Sequence, residues 1–308
     1  MEASITLKSI AKTFNENTLL ADLSFGVEKG TVFALIGSNG SGKTIILKLL
    51  VGIVEKDAGM AYINGKDIAN RSKEIRSVTG YMSQDIDLDE EISIFENLIV
   101  NARLHGLDYS KAKKNLLYYS DILGINQVLN LYPKNMSYGD KRKVMFLKSI
   151  IHDPEVILLD EPTKGLDPES KNKIWDILEK FHSSKTILFA TQDIEEAERY
   201  ANRIAILHKG NIKMDGTLER LIETTHGLSR YVISFSKAPP LEFLNKISEN
   251  PRILKPSLNG LDFEFYSRER KQFFYAMKLA LDFNVDDVDI SVCKLRDLFI
   301  GLVDGGLE

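Results

Sequence analysis

Two patterns of hydrophobic and polar positions alternate through the first two-thirds of the chain. Short, fully apolar runs at 32–36, 156–159 and 186–190 are typical of strands buried at the centre of a sheet. Segments 5–7 and 23–27 indicate early antiparallel strands, and stretches with helical spacing lie between the runs. Strands that alternate with helices predict an α/β domain with a largely parallel sheet.

A block of helical periodicity interrupts this alternation between about residues 85 and 150. Ile94, Leu98 and Asn101 follow one another at helical spacing, and segment 111–123 continues the pattern. The block predicts a helical subdomain inserted into the α/β core.

The pattern changes again after about residue 220. The remaining segments are predicted, in order, to be strand 230–235, helix 240–248, strands 253–256 and 261–266, helix 268–283, strand 287–292 and helix 295–302. The order βαββαβ is that of a ferredoxin-like α+β unit with one extra helix. Asn259-Gly260 predicts a two-residue hairpin turn between the middle strands. We therefore predict two domains, residues 1–220 and a smaller C-terminal domain over 221–308.

Composition narrows the classes of function. Of the 308 residues, 44% are apolar and 27% are charged, as in ordinary globular proteins. The single cysteine, Cys293, excludes an internal disulfide framework, and we interpret it as a small buried apolar residue. The N-terminus lacks the pattern of a signal peptide, and no apolar run approaches the roughly 20 residues of a membrane span. A membrane role would therefore require a partner.

Charge argues against a nucleic-acid partner. The formal net charge of −4 gives no basic footprint for a phosphate backbone. The basic cluster Lys141, Arg142 and Lys143 is interpreted as the solvated face of a helix. No nucleic acid is therefore expected among the partners.

A glycine-rich loop carries the most specific chemical signal in the chain. It follows the apolar run 32–36, precedes a helical segment, and consists of Gly37, Ser38, Asn39, Gly40, Ser41, Gly42, Lys43 and Thr44. Glycines let the backbone turn so that successive N–H groups form an anion-binding nest, to which the helix N-terminus adds its positive dipole. Lys43 can reach the terminal phosphates of a nucleotide, and Thr44 offers a hydroxyl to Mg²⁺. The succession of strand, loop and helix predicts a P-loop that binds a nucleoside triphosphate.

An acidic pair ends the second apolar run. Asp160 and Glu161 directly follow the run 156–159. Such a pair could also cap a helix, but phosphoryl transfer needs both a metal site and a group that positions water. Because the P-loop is present, we interpret Asp160 as a Mg²⁺ ligand and Glu161 as the residue that polarises the attacking water.

The order of short motifs along the chain completes the pattern. After the P-loop come Tyr-Met-Ser-Gln at 81–84, the helical block, Met-Ser-Tyr-Gly-Asp at 136–140, Asp-Glu-Pro-Thr at 160–163 and Gly-Leu-Asp-Pro at 165–168. With these motifs in this order, the chain resembles the ATP-binding subunit of an ABC transporter over roughly residues 3–217. The resemblance implies a P-loop NTPase fold of ABC type with a mixed sheet and an inserted helical subdomain. It also implies ATP and Mg²⁺ as cofactors and ATP hydrolysis as the activity.

The resemblance further implies roles for single residues. Gln84 corresponds to the glutamine that touches Mg²⁺ or the attacking water. Ser137 and Gly139 correspond to the signature sequence, which caps the γ-phosphate bound by the opposite subunit. Asp167 corresponds to an aspartate at the subunit interface. Phe14 stands where the family places an aromatic ring that stacks on adenine, and a phenylalanine of the core is the alternative interpretation.

Four positions depart from the family pattern. Tyr138 replaces the first glycine of the signature and Asp140 replaces the glutamine that ends it. Ile45 replaces a hydroxyl residue that contacts the α-phosphate, which should remove one hydrogen bond. Gln192 occupies the place of the switch histidine, and glutamine cannot carry positive charge or relay a proton. Hydrolysis could therefore be slower by up to about 10²–10³-fold, or Gln192 could substitute adequately.

The resemblance implies a dimer attached to a membrane protein. Two copies, or one copy and an ABC paralogue, would sandwich two ATP molecules. A separate polytopic partner would carry the membrane spans and hold this chain at the cytoplasmic face. The C-terminal element order and segment 295–299 loosely resemble the accessory tail of bacterial exporters, which favours export over import. A hydrolysis-poor regulatory subunit of a heterodimer is one alternative, and a non-transport ATPase acting on ribosomes or DNA is a less favoured one.

Overall fold

A computed structural model describes residues 3–15, 17–70, 73–223, 229–283, 285–292 and 295–303. Cys293, which the sequence suggests is buried, lies outside these residues. The chain divides into two compact units, Met1–Asp215 and Gly216–Glu308, and the division falls five residues before the boundary proposed at 220. Among the described residues, no helix combines the length and the apolar character that crossing a bilayer requires.

The first unit contains two sheets and seven helices among its described residues. Its strands are β1 (Ala3–Phe14), β2 (Asn17–Glu28), β3 (Val32–Ile36), β4 (Ala58–Ile63), β5 (Lys66–Asp67), β6 (Thr79–Met82), β7 (Val156–Asp160), β8 (Thr186–Thr191), β9 (Arg203–His208) and β10 (Asn211–Gly216). Its helices are α1 (Lys43–Leu50), α2 (Lys73–Val78), α3 (Ile94–Leu104), α4 (Tyr109–Leu123), α5 (Tyr138–Ile150), α6 (Pro168–Lys180) and α7 (Ile194–Tyr200).

The larger sheet has six strands in the order β10-β9-β3-β8-β7-β6. Strand β3 pairs in parallel with β8 and β9, and β7 pairs in parallel with β6 and β8. Every residue of β3, β7 and β8 is buried, because helices cover both faces of such a sheet. The three central strands are therefore confirmed. The carboxyl ends of β3, β6, β7 and β8 meet at one edge, so the loops that follow them lie together.

The smaller sheet has the order β2-β1-β4-β5. Strand β1 runs antiparallel to both β2 and β4, which confirms the two early strands and extends each to 12 residues. Inward residues such as Ile5, Leu7 and Val27 join Leu47 and Leu50 of α1 in one buried cluster. Burial of these side chains stabilises the unit through the hydrophobic effect. The same packing fixes the helix that follows the glycine-rich loop.

Helices α3, α4 and α5 occupy the block in which the sequence shows helical periodicity. Ser93 and Glu96 form a capping box at the start of α3, and Asp108 caps α4. Ser137 caps α5, and the Ser137 side chain accepts a hydrogen bond from the amide of Asp140. The positions of these three helices thus follow from local capping signals in the sequence together with their apolar faces.

The second unit forms an antiparallel sheet with helices. Its elements are α8 (Leu218–Glu223), β11 (Ser229–Phe235), α9 (Leu241–Ser248), β12 (Leu254–Asn259), β13 (Asp262–Ser267), α10 (Arg270–Ala280), β14 (Val285–Val292) and α11 (Leu295–Val303). The strand order is β12-β13-β11-β14, with every pairing antiparallel. Tyr231, Ile233 and Phe235 of β11 alternate into a buried cluster with Phe243 and Phe265. The predicted order βαββαβ is confirmed.

The hairpin between β12 and β13 corrects one sequence prediction. Asn259 pairs with Asp262, so the two loop residues are Gly260 and Leu261 rather than Asn259 and Gly260. Gly260 has φ 66°, and a two-residue hairpin loop with glycine at its first position suits the twist of the strands. The glycine therefore occupies the first loop position, and Asn259 stays in the ladder.

Candidate nucleotide-binding site

The glycine-rich loop leaves β3 and enters α1 through tight backbone contacts. Gly42 has φ 111° at the helix N-cap. A Cβ atom on Gly37 would lie 2.4 Å from the Ser41 Oγ and 2.6 Å from the Leu207 carbonyl oxygen. The amide of Ile46 is the first to bond within the helix, to the Gly42 carbonyl at 3.0 Å. The amides of 43–45 therefore have no intrahelical acceptor and can bind an anion.

Lys43 places a buried cation inside this loop. Its side chain is only 6% exposed, and its Nζ donates to the carbonyl oxygens of Gly37 at 2.7 Å and Ser38 at 3.2 Å. Burial lowers the pKa of Lys43, while the carboxylates of Glu161 and Asp160 oppose that shift. An ammonium group held so close to the free amides can neutralise phosphate charge.

Asp160 ends β7 as a buried carboxylate without a hydrogen-bond partner. The residue is fully shielded, and neither side-chain oxygen is hydrogen-bonded. Burial raises the pKa of Asp160, whereas the nearby Thr44 hydroxyl and the Lys43 ammonium favour the charged form. Two unsatisfied carboxylate oxygens beside a hydroxyl fit a hard cation such as Mg²⁺. Among the described residues no cluster of three or more His, Cys, Asp or Glu could hold a metal, so nucleotide phosphates would have to complete the ligand set.

Glu161 is held in an uncommon backbone conformation at the head of the site. Its φ is 49°, and its amide donates to the Ala190 carbonyl oxygen of β8 at 2.9 Å. Non-glycine residues in this left-handed region are often found at functional sites. Burial raises the pKa of the Glu161 carboxyl, while Lys43 and the Gln192 backbone lower it. A carboxylate in this environment can accept a proton from water.

A single cleft brings several of the predicted site residues together. It is lined by Leu19, residues 39–45, Gln84 and Glu161. Gln84 is exposed in the loop after β6, and Ile45 is partly buried against the core. Ile45 leaves the cleft without the hydroxyl that the family pattern would place there.

Eight predicted site residues do not line this cleft: Phe14, Gly37, Ser38, Ser137, Gly139, Asp160, Asp167 and Gln192. Ser137, Asp167 and Gln192 are exposed at the starts of α5, α6 and α7. Phe14 is 63% exposed at the end of β1, so its interpretation as a core residue is wrong. Contact of the Phe14 ring with adenine stays a prediction.

The signature segment begins α5 with a closed polar network. The Ser137 hydroxyl donates to the Asp140 carboxylate at 2.8 Å and accepts from the Asp140 amide at 3.1 Å. Lys143 pairs with Asp140 at 2.7 Å. The ring of Tyr138 lies against Gly165, where a Cβ atom would come within 2.9 Å of it. Neither Ser137 nor Gly139 lines the chain's own nucleotide cleft.

Asp167 caps the next helix. Its Oδ1 accepts from the Ser170 amide at 3.0 Å, and the hydrogen bonds to Ser170 lower the pKa of the Asp167 carboxyl. Pro168 occupies the first helical position, where its missing N–H has no cost. Asp167 is therefore ionised at neutral pH and fixed in direction.

Arg142 corrects the interpretation of the basic cluster at 141–143. The side chain of Arg142 is completely buried, not solvated. It donates to the backbone carbonyls of Ser83, Gln84, Asp160 and Glu161. A charge run usually marks a solvated face, but Arg142 falls on the same helical face as Met145 and Phe146, which are buried. That helical spacing is the one signal in the sequence that could have found it.

Glu196 is a second buried residue that sequence reasoning missed. Its carboxylate accepts hydrogen bonds from the side chains of Thr163, Thr191 and Trp175, the last at 3.0 Å. Burial raises its pKa, and these three donors oppose the shift. Glu196 therefore ties the segment after Glu161 to the end of β8.

Comparison with known proteins agrees with this geometry. The ABC transporter family matches residues 20–164. The Nod factor export ATP-binding protein I of Paraburkholderia xenovorans (strain LB400) is 33% identical over 260 residues, which cover 84% of each chain. A solved ATP-binding subunit of an ABC transporter has a TM-score of 0.69 and 29% identity, over 72% of this chain and 93% of that one. A dimeric bacterial ABC transporter cassette has a TM-score of 0.65 and 24% identity, over 70% and 98% respectively, and supports the fold alone.

The fold class and the family predicted from the motif order are thus confirmed. The match to the export protein extends over most of both chains, and P-loop residues 39–44, Gln84 and Glu161 meet in one cleft. The chain belongs to the ABC transporter family, in which it is an ATP-binding subunit.

Proposed function

We propose that this chain binds and hydrolyses ATP to power export through a separate, polytopic membrane protein. The observation that carries the proposal is the convergence of the P-loop, Gln84 and Glu161 on one cleft. Export in particular is supported by the name of the 33% identical relative, a Nod factor export protein. Nothing in the cleft bears on the transported substrate, which would be bound by the partner.

Each residue of the cleft has a proposed part in hydrolysis. Lys43 and the amides of 43–45 bind the phosphates, because they combine a buried positive charge with free N–H donors. Glu161 accepts a proton from the attacking water, and Gln84 helps to position that water. Mg²⁺, held by Asp160, Thr44 and Gln84, would supply positive charge to the phosphate oxygens.

We propose that the working unit is a dimer. Ser137 and Gly139 stand at the start of α5 and do not line the chain's own cleft, so they are available to cap a nucleotide held by another subunit. Asp167, fixed at the start of α6, would lie at the same interface. The second subunit is either another copy or an ABC paralogue.

A groove in the first unit is the proposed contact for the membrane partner. It is lined by apolar and charged side chains that include Ile53, Asp85, Asn101, Met145 and Lys148. A short amphipathic helix could place apolar side chains on Ile53 and Met145 and polar ones on the rim. The groove adjoins the Gln84 loop through Ser83 and Asp85, so a partner seated there would contact the loop that enters the cleft. The chain would then sit on the cytoplasmic face of the membrane.

We assign the residues to two domains, an ABC-type nucleotide-binding domain over 1–220 and an accessory domain over 221–308. Residues 85–150 form the helical subdomain of the first. The second has its own apolar core around Phe243 and Phe265, as an independently folding accessory domain requires. Its proposed task is to stabilise or regulate the dimer.

Slow turnover is part of the proposal. Gln192 is an uncharged residue at the switch position, and Ile45 lines the cleft without a hydroxyl. These two residues also favour the second candidate function, a regulatory subunit that binds ATP beside a catalytically normal paralogue.

One pair of experiments tests these functions. Steady-state phosphate release is measured for the isolated full chain and for Gln192→His, with Glu195→Gln as a control on the exposed side of α7. We expect slow, Mg²⁺-dependent release that Gln192→His accelerates by about 10–10²-fold, as expected for one restored transition-state donor. Rapid wild-type turnover that the substitution leaves unchanged would exclude the regulatory function. Co-purification with ribosomes rather than with a polytopic membrane protein would overturn the transport function.

A further inference from the structure

Arg142 is buried where an isolated charge would be strongly disfavoured. The guanidinium lies on the second turn of α5 and is fully shielded from solvent. Moving such a charged group out of water is strongly unfavourable unless hydrogen bonds replace the lost hydration. Burial accordingly lowers the pKa of Arg142. The compensation comes from four backbone carbonyl groups rather than from a direct ion pair.

The four carbonyl groups belong to two separate loops. Nη1 donates to the carbonyl oxygens of Ser83 at 2.9 Å and Gln84 at 2.8 Å. Nη2 donates to the carbonyl oxygens of Asp160, at 3.3 Å, and Glu161. Only a planar group with several donors in a fixed fork can hold both loops at once. The guanidinium therefore sets the distance between the Gln84 backbone and the Glu161 backbone.

The same helix also carries the signature segment. Ser137 caps α5 five residues before Arg142, with its hydroxyl turned to the Asp140 carboxylate. A helix of 13 residues moves as one body over such a short distance. Any displacement of Ser137 is thus passed through Arg142 to both loops of the nucleotide cleft.

We propose that Arg142 is a positioning residue for hydrolysis, which holds Gln84 and Glu161 in register with each other and with the helix that begins at Ser137. The proposal deepens the proposed function and rests on it, since it concerns the same cleft. Arg142 touches neither nucleotide nor water. It acts by fixing the backbones that carry the two hydrolytic side chains.

The proposal separates hydrolysis from binding, and this separation can be measured. In Arg142→Met the P-loop is intact, so we expect the Kd for ATP to stay within about threefold of wild type. We expect kcat to fall by about 10–10²-fold, because an ångström-scale displacement of a catalytic group costs about that much. Arg142→Lys keeps the charge, but lysine has a single side-chain nitrogen and should hold only one loop. Its kcat should therefore fall nearly as far as that of Arg142→Met. Lys141→Met, the neighbouring cation on α5, is the matched control and should keep kcat within twofold.

Hydrogen exchange gives a second readout that a general loss of stability would not produce. We expect faster amide exchange in Arg142→Lys at 83–85 and 160–162, with unchanged exchange in the P-loop helix and in β8. If Arg142→Met fails to fold, Arg142→Lys provides the same comparison. Wild-type kcat in either variant, or uniform acceleration of exchange across the unit, would overturn the proposal alone. Absence of ATP hydrolysis by the wild-type chain would overturn the proposed function and this proposal with it.

Discussion

The nucleotide-binding region differs from the polar cluster of the C-terminal unit, formed by Arg230, Glu264, Tyr266 and Asp297, in how its carboxylates are partnered. At the end of β7, Asp160 is fully shielded with two unpartnered oxygens, and burial raises its pKa. In the C-terminal unit, the Glu264 carboxylate accepts hydrogen bonds from Nε and from Nη2 of Arg230, each at 2.8 Å. That pairing lowers the pKa of Glu264. The Asp160 carboxylate therefore has no hydrogen-bonded cation, whereas the Glu264 carboxylate is paired with Arg230.

The surroundings of each carboxylate reinforce the difference. The Tyr266 hydroxyl lies within hydrogen-bond distance of the Glu264 carboxylate and, at 3.1 Å, of the Asp297 carboxylate of α11, so the two acids share its single proton and the C-terminal cluster is a closed network. Glu161, beside Asp160, also has a raised pKa and lies in a left-handed backbone conformation. Native proteins leave polar atoms unsatisfied mainly where a ligand is bound. The contrast fits the proposed role of the cleft in chemistry, whereas the carboxylates of the C-terminal cluster are satisfied within their own unit.

The largest expected effect comes from removing the base of the cleft. Glu161→Gln keeps the shape of the side chain but cannot accept a proton, so we expect kcat to fall by about 10²–10⁴-fold. ATP binding should persist, because the P-loop is untouched. Phosphate release and nucleotide titration on the full chain measure the two quantities. Glu195→Gln, an exposed acid of α7, is the control, and a Glu161→Gln variant that still turns over at the wild-type rate would remove Glu161 from the reaction.

The contrast between the two regions also explains how far the sequence alone could reach. Strands β3, β7 and β8 were predictable because fully apolar runs have few alternative structures. The P-loop was predictable because its glycines, Lys43 and Thr44 stand in one short run between an apolar strand and a helical segment. In both cases the physical cause is local in the chain.

What the sequence could not predict depends on long-range contacts. In the sequence Arg142 looks like its neighbours Lys141 and Lys143 until α5 packs against the loops at 83–84 and 160–161, which are 58 and 19 residues away. Glu196 looks like any acid at the start of a helix until Thr163 and Trp175 surround it. The Gly260 hairpin was misplaced by one residue because register depends on the partner strand. These three errors share one cause, since each partner is set by tertiary packing.

The second effect in size concerns the cation of the cleft. Lys43→Met removes charge-assisted hydrogen bonds to phosphate, each contributing about 1.5–3 kcal/mol, so we expect ATP affinity to weaken by about 10–10²-fold. Fluorescent-nucleotide titration of the full chain measures the change. Lys29→Met, on an exposed turn, is the control for loss of one positive charge. An unchanged Kd would mean that the backbone amides alone bind the phosphates.

The third effect in size concerns the hydrogen-bonded pair of Arg230 and Glu264 in the C-terminal unit. Arg230→Met leaves Glu264 without its cation, and we expect a loss of about 1–2 kcal/mol in the free energy of unfolding, since the pair is partly solvated. ATP affinity should not change. Because the pKa of Glu264 is lowered in the fold, the pair stabilises the protein above the ordinary carboxyl pKa and this contribution is lost as the pH falls.

Urea unfolding of the full chain at neutral and acidic pH measures this effect. The difference between wild type and Arg230→Met should be largest at neutral pH and shrink in acid. Arg252→Met is the control, because the Arg252 side chain is 59% exposed and its contact with Glu269 is long at 3.5 Å. Equal destabilisation by the two substitutions would show that the network around Glu264 contributes no more than a surface pair.

The smallest expected effect concerns the stability that the protein loses by burying the Asp160 carboxylate without a hydrogen-bond partner. The pKa of Asp160 is raised in the fold, so the nucleotide-free protein takes up a proton on folding and becomes less stable as the pH rises through that pKa. Asp160→Asn cannot ionise and should escape this loss. Relative to wild type, it should therefore melt higher at neutral pH than at a pH near the ordinary carboxyl pKa, by roughly 2–4 °C for each 1 kcal/mol of this loss in a unit of this size. The same substitution should abolish the gain in ATP affinity that Mg²⁺ gives the wild type, because a neutral amide is a poor ligand for a hard cation. A melting difference that is equal at the two pH values, together with an intact Mg²⁺ effect, would mean that Asp160 is not kept ionisable for a metal.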